Sequence, residues 1–207
     1  MNIVSDGDNS TSRTRAAQRN LHKYSLWILF VLIGSSQCLA QDMSPRKIDA
    51  TAMGTSTQMG RVVQVSLYIY GYSTEEDRQI LIQAFLKDKN QGLVNALEKM
   101  KAVGRIAISG TLGYDLSYVR VIPTPTGQKI RFVTNRLLRF GESYYSTRTV
   151  DYNLTGGELD LNDKDSSKSS GVLYPAAKLK LDKDQQLSLE LYQNAWKLVN
   201  LIDWSKK

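Results

Sequence analysis

The chain has 207 residues, of which 27 are basic and 20 acidic, and its net charge is +7. Its single cysteine, Cys38, and its single histidine, His22, both lie within the first 40 residues. Residues 41–207 therefore contain no thiol and no imidazole. This excludes from them a Ser-His-Asp or Cys-His nucleophile, a disulfide, and any zinc or haem site that needs either residue.

The first 40 residues have the three parts of a secretory signal peptide. Four basic residues between Arg13 and Lys23 precede an apolar run, Leu26–Ile33, and small residues follow at Cys38 and Ala40. The run is far shorter than the roughly 20 residues that span a membrane, and the combination is typical of a cleaved leader. We therefore expect cleavage after Ala40, a secreted or periplasmic protein of bacterial type, and no stable membrane span after cleavage. An uncleaved anchor and lipidation of Cys38 are the alternatives.

Without residues 1–40 the chain keeps 23 basic and 18 acidic side chains, a net charge of +5. These charges are spread along the chain without a polybasic block, so we expect no nucleic-acid partner. Residues 41–207 are long enough to form one domain with its own core.

The first two segments after the leader differ in pattern. Residues 41–60 are rich in Ser, Thr, Gly and Met without a period, which predicts a flexible lead-in. Residues 61–70, RVVQVSLYIY, are β-branched and aromatic and alternate in polarity, which predicts a strand.

The next segment predicts two short amphipathic helices. Ser73 and Glu76 have the spacing of a capping box at a helix start. One apolar stripe follows at residues 80–85 and another at 93–100, with spacings of three and four residues. The polar segment KDKNQG separates the two stripes and predicts a break between two helices.

After Gly104 the chain alternates apolar and polar residues almost throughout. Short segments rich in Gly, Pro, Asp and Ser separate these runs and predict tight turns between antiparallel strands. Pro175 within one run predicts a sheet edge or a bulge. The predicted strands cover residues 105–109, 116–122, 128–140, 147–154, 158–162, 171–181, 186–192 and 196–202.

This order of elements predicts an α+β domain over residues 61–207. Its main part would be a mostly antiparallel curved sheet of about seven to nine strands, with two short N-terminal helices packed on it. The order strand–helix–helix–strands resembles the start of the helix-grip folds, and that resemblance implies a cup for an apolar ligand between helices and sheet.

Basic and aromatic residues are frequent between positions 120 and 148. Paired arginines suit carboxylate or phosphate groups, and tyrosines are common at recognition surfaces. A solvated strand face would explain the same residues. The candidate ligand or anion surface consists of Arg120, Arg131, Arg136, Arg139, Tyr144 and Tyr145.

The segment 160–167, DLNDKDSS, is rich in the oxygen ligands that Ca²⁺ prefers. It lacks EF-hand spacing, because Lys164 stands at the fifth position and no glycine stands at the sixth. A solvated hairpin loop is the better interpretation. We expect no metal, no cofactor and no catalytic residue in this chain.

Two stretches, AVGRIAISGTLGYDLSYVRVIPTPTGQKIRFVTNR and YPAAKL, resemble an uncharacterised family of small exported bacterial proteins. The resemblance covers residues 60–204 and implies export, but no activity and no site residue. We therefore expect an exported, non-enzymatic domain that binds an unknown protein or small molecule. A carrier of a small apolar ligand in the cup is the first alternative. A hydrolase that uses carboxylates or a Ser/Lys pair is the second.

Overall fold

Alternating burial shows that most of the strands have one side that faces a common core. In the first strand, Ile48, Ala50 and Ala52 are buried, and the residues between them are more exposed. This period of two is what a strand with one buried face requires. The structure, a computed structural model, describes residues 44–139, 151–181 and 187–205.

The described residues form ten strands and one helical element, α1 (Glu75–Lys99), together with 3₁₀ turns at Ser56–Gln58 and Ser166–Lys168. The strands are β1 (Arg46–Met53), β2 (Val62–Ile69), β3 (Gly104–Ile108), β4 (Tyr114–Leu116), β5 (Tyr118–Thr124), β6 (Gly127–Thr134), β7 (Leu154–Asn162), β8 (Ser170–Leu181), β9 (Leu187–Leu191) and β10 (Trp196–Asp203).

The ten described strands belong to one antiparallel sheet, as the short turns predicted. Their order is β4-β3-β2-β1-β10-β8-β7-β6-β5, and β9 pairs with the end of β8. The edge strands β4 and β5 are separated only by Ser117. Ser73, just after β2, reaches β5: its N–H donates to the Val119 oxygen at 2.8 Å, and its Oγ accepts from the Val119 N–H at 3.1 Å. The sheet therefore curls into a nearly closed barrel.

Large apolar side chains fill the interior of the curled sheet. They come from β1 to β8 and from β10, and the largest, Trp196 and Phe132, are 0% and 1% exposed. Burying such a side chain stabilises the fold by about 1.5–3 kcal/mol. The Arg46 side chain is also buried, and its Nη1 lies 3.7 Å from the Asp203 carboxylate.

A bulge in β8 confirms the prediction made from Pro175. Gly156 of β7 pairs with Tyr174, whereas Leu154 pairs with Ala177, so β8 has one extra residue beside Pro175. Thr155 lies opposite the bulge and is fully buried. Its hydroxyl donates to the Pro175 oxygen at 2.7 Å.

The prediction of two short helices is wrong, because the described residues form one helical element with a sharp kink. Asp88 and Lys89 have non-helical backbone angles, and φ at Lys89 is +52°. The kink falls inside KDKNQG, but the helix resumes at once. Its two halves approach closely at Gly92, where a Cβ atom would clash with the Ala84 backbone.

The helix also begins one residue later than the capping-box spacing predicted. Thr74 is the N-cap: its Oγ1 accepts from the Asp77 N–H at 3.2 Å, and its own N–H donates to Asp77 Oδ2 at 2.8 Å. Ser73 is used instead in the bond to Val119 that helps to close the sheet. Ser73 and Thr74 are both good caps, and the contact with β5 decides between them.

The prediction of a flexible lead-in is wrong for residues 46–53, which form β1 in the middle of the sheet. β1 pairs with β2 along its whole length and with β10 on its other side. Its sequence, RKIDATAM, contains few residues with high strand propensity. Pairing on both edges and burial of one face outweigh that propensity.

Several predicted strands have different bounds in the structure, and two of them differ substantially. The strand predicted over 128–140 ends at Thr134, whose Oγ1 accepts from the Arg136 N–H at 2.9 Å and turns the chain. Of the strand predicted over 147–154, residues 147–150 lie outside the described residues, and of the described residues 151–154 only Leu154 belongs to a strand.

The predicted signal peptide, residues 1–40, lies outside the described residues. Within the part of the chain that the structure describes, no helix is both long and apolar enough to cross a membrane.

Candidate functional site

An apolar groove runs between α1 and the outer face of the sheet. Outward-facing residues of β5 to β8 pack against one side of α1 and form an apolar cluster separate from the barrel interior. The space left between them is about 390 Å³. Small-molecule sites have volumes of roughly 300–1,000 Å³. The groove is lined by Arg78, Leu81, Ile82, Phe85, Leu86, Leu93, Leu97, Tyr118, Val133 and Leu179.

Both halves of α1 contribute apolar side chains to the groove. Leu81 and Phe85 come from the half before the kink, and Leu93 and Leu97 from the half after it. Residues four apart lie on the same side of a helix, so each half presents an apolar pair. The kink lets both pairs face the same part of the sheet.

Asn90, beside the kink, ties the helix to the sheet. Its Oδ1 accepts from the Leu179 N–H of β8 at 2.8 Å, and its Nδ2 donates to Asn153 Oδ1 at 2.9 Å. The amide therefore connects α1 to β8 and to the residue that precedes β7. These bonds hold the second half of α1 at a fixed position over the sheet.

The groove has an exposed apolar rim. Leu86 is 56% exposed although it lies in the lining, and Ile82, Val133 and Tyr118 are only partly buried. An apolar molecule in the groove would cover these side chains.

One end of the groove is charged. Arg78 is the one charged residue among the described residues of the lining, and its Nη1 lies 2.7 Å from Glu75 Oε1. Arg120 Nη2 lies 3.4 Å from the other oxygen of Glu75. The hydrogen bond from Arg78 lowers the pKa of Glu75. Two guanidinium groups thus share one ionised carboxylate, and the mouth of the groove carries one excess positive charge.

A polar recess continues beyond this mouth. It has a volume of about 250 Å³, and Glu75 and Arg120 are among its lining residues. The apolar groove and the polar recess therefore meet at the cluster of Arg78, Glu75 and Arg120.

The structure brings two of the predicted site residues together. Arg120 of β5 and Arg131 of β6 are cross-strand partners on the outer face of the sheet. Arg131 Nε lies 2.6 Å from Glu158 Oε2. Lys129 binds the other oxygen of Glu158 at 2.8 Å, and this bond together with that from Arg131 lowers the Glu158 pKa. Arg131 therefore forms an ion pair within the sheet, whereas Arg120 pairs with Glu75 at the start of α1.

Of the other four predicted residues, the structure describes Arg136 and Arg139. Arg136 lies just beyond β6 and lines a separate polar pocket of about 350 Å³ with Ser117. Arg139 is exposed in the segment after β6. Tyr144 and Tyr145 lie outside the described residues.

The oxygen-rich loop after β7 uses its oxygens to form turns. Asn162 Oδ1 accepts from the Lys164 and Asp165 N–H groups at 3.0 and 2.9 Å, and Asp165 Oδ1 accepts from the Ser167 N–H at 3.1 Å. In the three described ranges, no group of three His, Cys, Asp or Glu residues could hold a metal ion.

The groove is not among the features predicted from the sequence, although the sequence contains a signal for it. Tyr118 and Val119, and likewise Phe132 and Val133, are adjacent residues that are buried or half-buried on opposite faces of a strand. Consecutive apolar residues are typical of a strand covered on both faces. The second covered face here is the one that carries α1.

Comparison of the chain with protein-family models, with curated proteins and with solved structures finds no match. The function of this chain is therefore inferred from its own geometry.

Proposed function

We propose that this chain is an exported, non-enzymatic protein that binds a small molecule with an apolar chain in the groove between α1 and the sheet. The observation that carries the proposal is the groove itself, which has a volume of about 390 Å³ and an almost wholly apolar lining. Export is supported by the leader features of residues 1–40.

The proposed site differs in position from the cup that the sequence suggested. The interior of the curled sheet is filled by side chains such as Phe132, Trp196 and Leu173. Space for a ligand lies instead on the outer face, where α1 covers β5 to β8 incompletely. The helix and the sheet still supply the two walls, as in the suggested cup.

Native mass spectrometry of the protein exported by its own leader tests the export and the binding together. We expect a chain that begins at Gln41 and carries a small molecule that leaves on gentle activation. A chain that keeps residues 1–40 would contradict the proposed cleavage.

Fluorescence titration with N-phenyl-1-naphthylamine, an uncharged apolar probe, locates the site on the purified protein. We expect Leu86→Gln to weaken probe binding by about 5- to 10-fold, since a half-exposed leucine loses its contact with the probe. Leu112→Gln is the matched control, because Leu112 is 85% exposed in the turn after β3 and does not line the groove.

Equal probe binding by the two variants and by the unmodified protein would contradict the groove as the binding site. Absence of probe binding by the unmodified protein would contradict the proposed function itself. Circular dichroism checks that both variants keep the fold.

A further inference from the structure

We propose that the ligand of the groove is a carboxylate amphiphile: one alkyl chain lies along the apolar lining, and its terminal carboxylate pairs with Arg78 and Arg120. This inference rests on the proposed function and adds the chemistry of the ligand's polar end. It comes from the position of the two arginines at the place where the apolar lining ends.

Both walls of the groove lead from the apolar lining to this charged mouth. On α1, Arg78 is followed at four and seven residues by Ile82 and Phe85, which lie on the same side of the helix. On β5, Tyr118 lines the groove, and Arg120 lies two residues on, on the same face and about 7 Å away. An alkyl chain in the groove would therefore place its end between the two arginines.

The charge at the mouth matches a carboxylate. Arg78 and Arg120 together face the single carboxylate of Glu75, at 2.7 and 3.4 Å. The one excess positive charge equals the one negative charge of a second carboxylate, whereas a phosphate monoester has a charge of about −1.5 to −2 at neutral pH. Guanidinium groups are also suited to bind two carboxylates from different directions.

The other acids of the first turn of α1 point away from the mouth. Asp77 binds the Thr74 N–H at 2.8 Å and lines the recess between the two halves of α1. Glu76 precedes Arg78 by two residues and so lies about 200° around the helix from it. Glu75 is thus the acid that shares the arginines with the ligand.

The inference predicts opposite effects for neighbouring substitutions. Removing Arg78 removes a partner of the ligand carboxylate, whereas removing the charge of Glu75 frees both arginines for it. Glu76→Gln is the matched control for Glu75→Gln, because it removes the same charge one residue along but on the far side of the helix. Arg105→Gln is the control for Arg78→Gln, since Arg105 pairs with Asp115 and lines another pocket.

The experiment measures displacement of N-phenyl-1-naphthylamine from the purified protein by dodecanoate and by dodecanol, which have equal chains and differ in charge. We expect dodecanoate to bind about 3- to 10-fold more tightly than dodecanol, the range for partly exposed ion pairs. This ratio should fall to about 1 in Arg78→Gln and rise in Glu75→Gln, and both controls should keep the value of the unmodified protein.

Equal binding of the acid and the alcohol to the unmodified protein would overturn the inference and leave the proposed apolar site standing. A ratio that Arg78→Gln and Glu75→Gln leave unchanged would also overturn it, because the carboxylate would then bind elsewhere. Failure of both compounds to displace the probe would instead count against the proposed function.

Discussion

Gly157 lies beneath the ring of Phe132 in the barrel interior, and we predict that Gly157→Ala destabilises the protein. A Cβ atom at this position would lie 2.8 Å from Phe132 Cε1, closer still to Cζ, and 2.8 Å from the backbone oxygen of Val172. The ring is 1% exposed and cannot move into solvent. Added volume in a packed core costs about 1–3 kcal/mol, and contact with backbone places this substitution near the upper end.

The neighbouring glycine is a matched control. A Cβ atom on Gly156 would have its nearest neighbour, the Phe132 oxygen, at 3.6 Å, which is ordinary van der Waals contact. Neither glycine has a positive φ, so backbone strain does not separate the two positions. We expect Gly156→Ala to be neutral or to stabilise the protein by up to about 1 kcal/mol through reduced entropy of the unfolded chain.

Urea unfolding, followed by tryptophan fluorescence to which the buried Trp196 contributes, measures the difference. The free energy of unfolding should fall by about 2–3 kcal/mol for Gly157→Ala, equivalent to roughly 4–12 °C in Tm for a domain of this size. The cost should be smaller in the Phe132→Leu background, which lacks the ring atoms nearest to the new methyl group. Equal stability of the two alanine variants, or an equal cost in both backgrounds, would refute this account of the core.

Three further predictions concern polar groups. Gln58 is fully buried, and neither polar atom of its amide has a hydrogen-bond partner among the described residues. Gln58→Leu should therefore stabilise the protein by about 1 kcal/mol in urea unfolding. Destabilisation by this substitution would contradict the prediction. Thr155→Val should lower the free energy of unfolding by about 1 kcal/mol in the same assay. The Leu138 N–H and the Pro175 oxygen lose their bonds to the hydroxyl but keep their own 2.9 Å bond. An unchanged midpoint of urea unfolding would contradict this prediction. Hydrogen bonds, first from Tyr152, lower the pKa of Glu190 from 4.5 to about 2, so its stabilising effect is complete above about pH 4.5 and is lost as the pH falls toward 2. Tyr152→Phe should raise this pKa in an NMR titration of the Glu190 carboxyl, and an unchanged pKa would contradict the assignment.

The strands after Gly104 could be predicted because alternate burial of their side chains gives each segment an alternating order of apolar and polar residues. Residues 171–181 and 196–202 alternate in polarity, and the structure has β8 and β10 at these places. Pro175 predicted a sheet edge or a bulge, because proline cannot donate a ladder hydrogen bond. These features depend on neighbouring residues, which a sequence displays directly.

β1 and the kink of α1 could not be predicted in the same way. The sequence of β1 favours a strand only weakly. Its strand conformation is stabilised by pairing with β2 on one edge and β10 on the other. The polar segment around Asn90 predicts a break between two helices. It continues as a helix because Gly92 admits the backbone of Ala84 and Asn90 bonds to β8.

In the candidate site, too, some features follow from the sequence and others only from the tertiary structure. The sequence alone indicated that Arg120 and Arg131 lie on strands and that the helical region has apolar stripes, because side-chain periodicity follows from backbone geometry. It also determined that residues 41–207 have no thiol and no imidazole. Only the tertiary structure decided that α1 lies on the outer face of the sheet, and that Arg78 and Arg120 share Glu75 at one end of the groove. Arg78 and Glu75 precede Arg120 by 42 and 45 positions in the chain. No local pattern determines which distant surfaces meet.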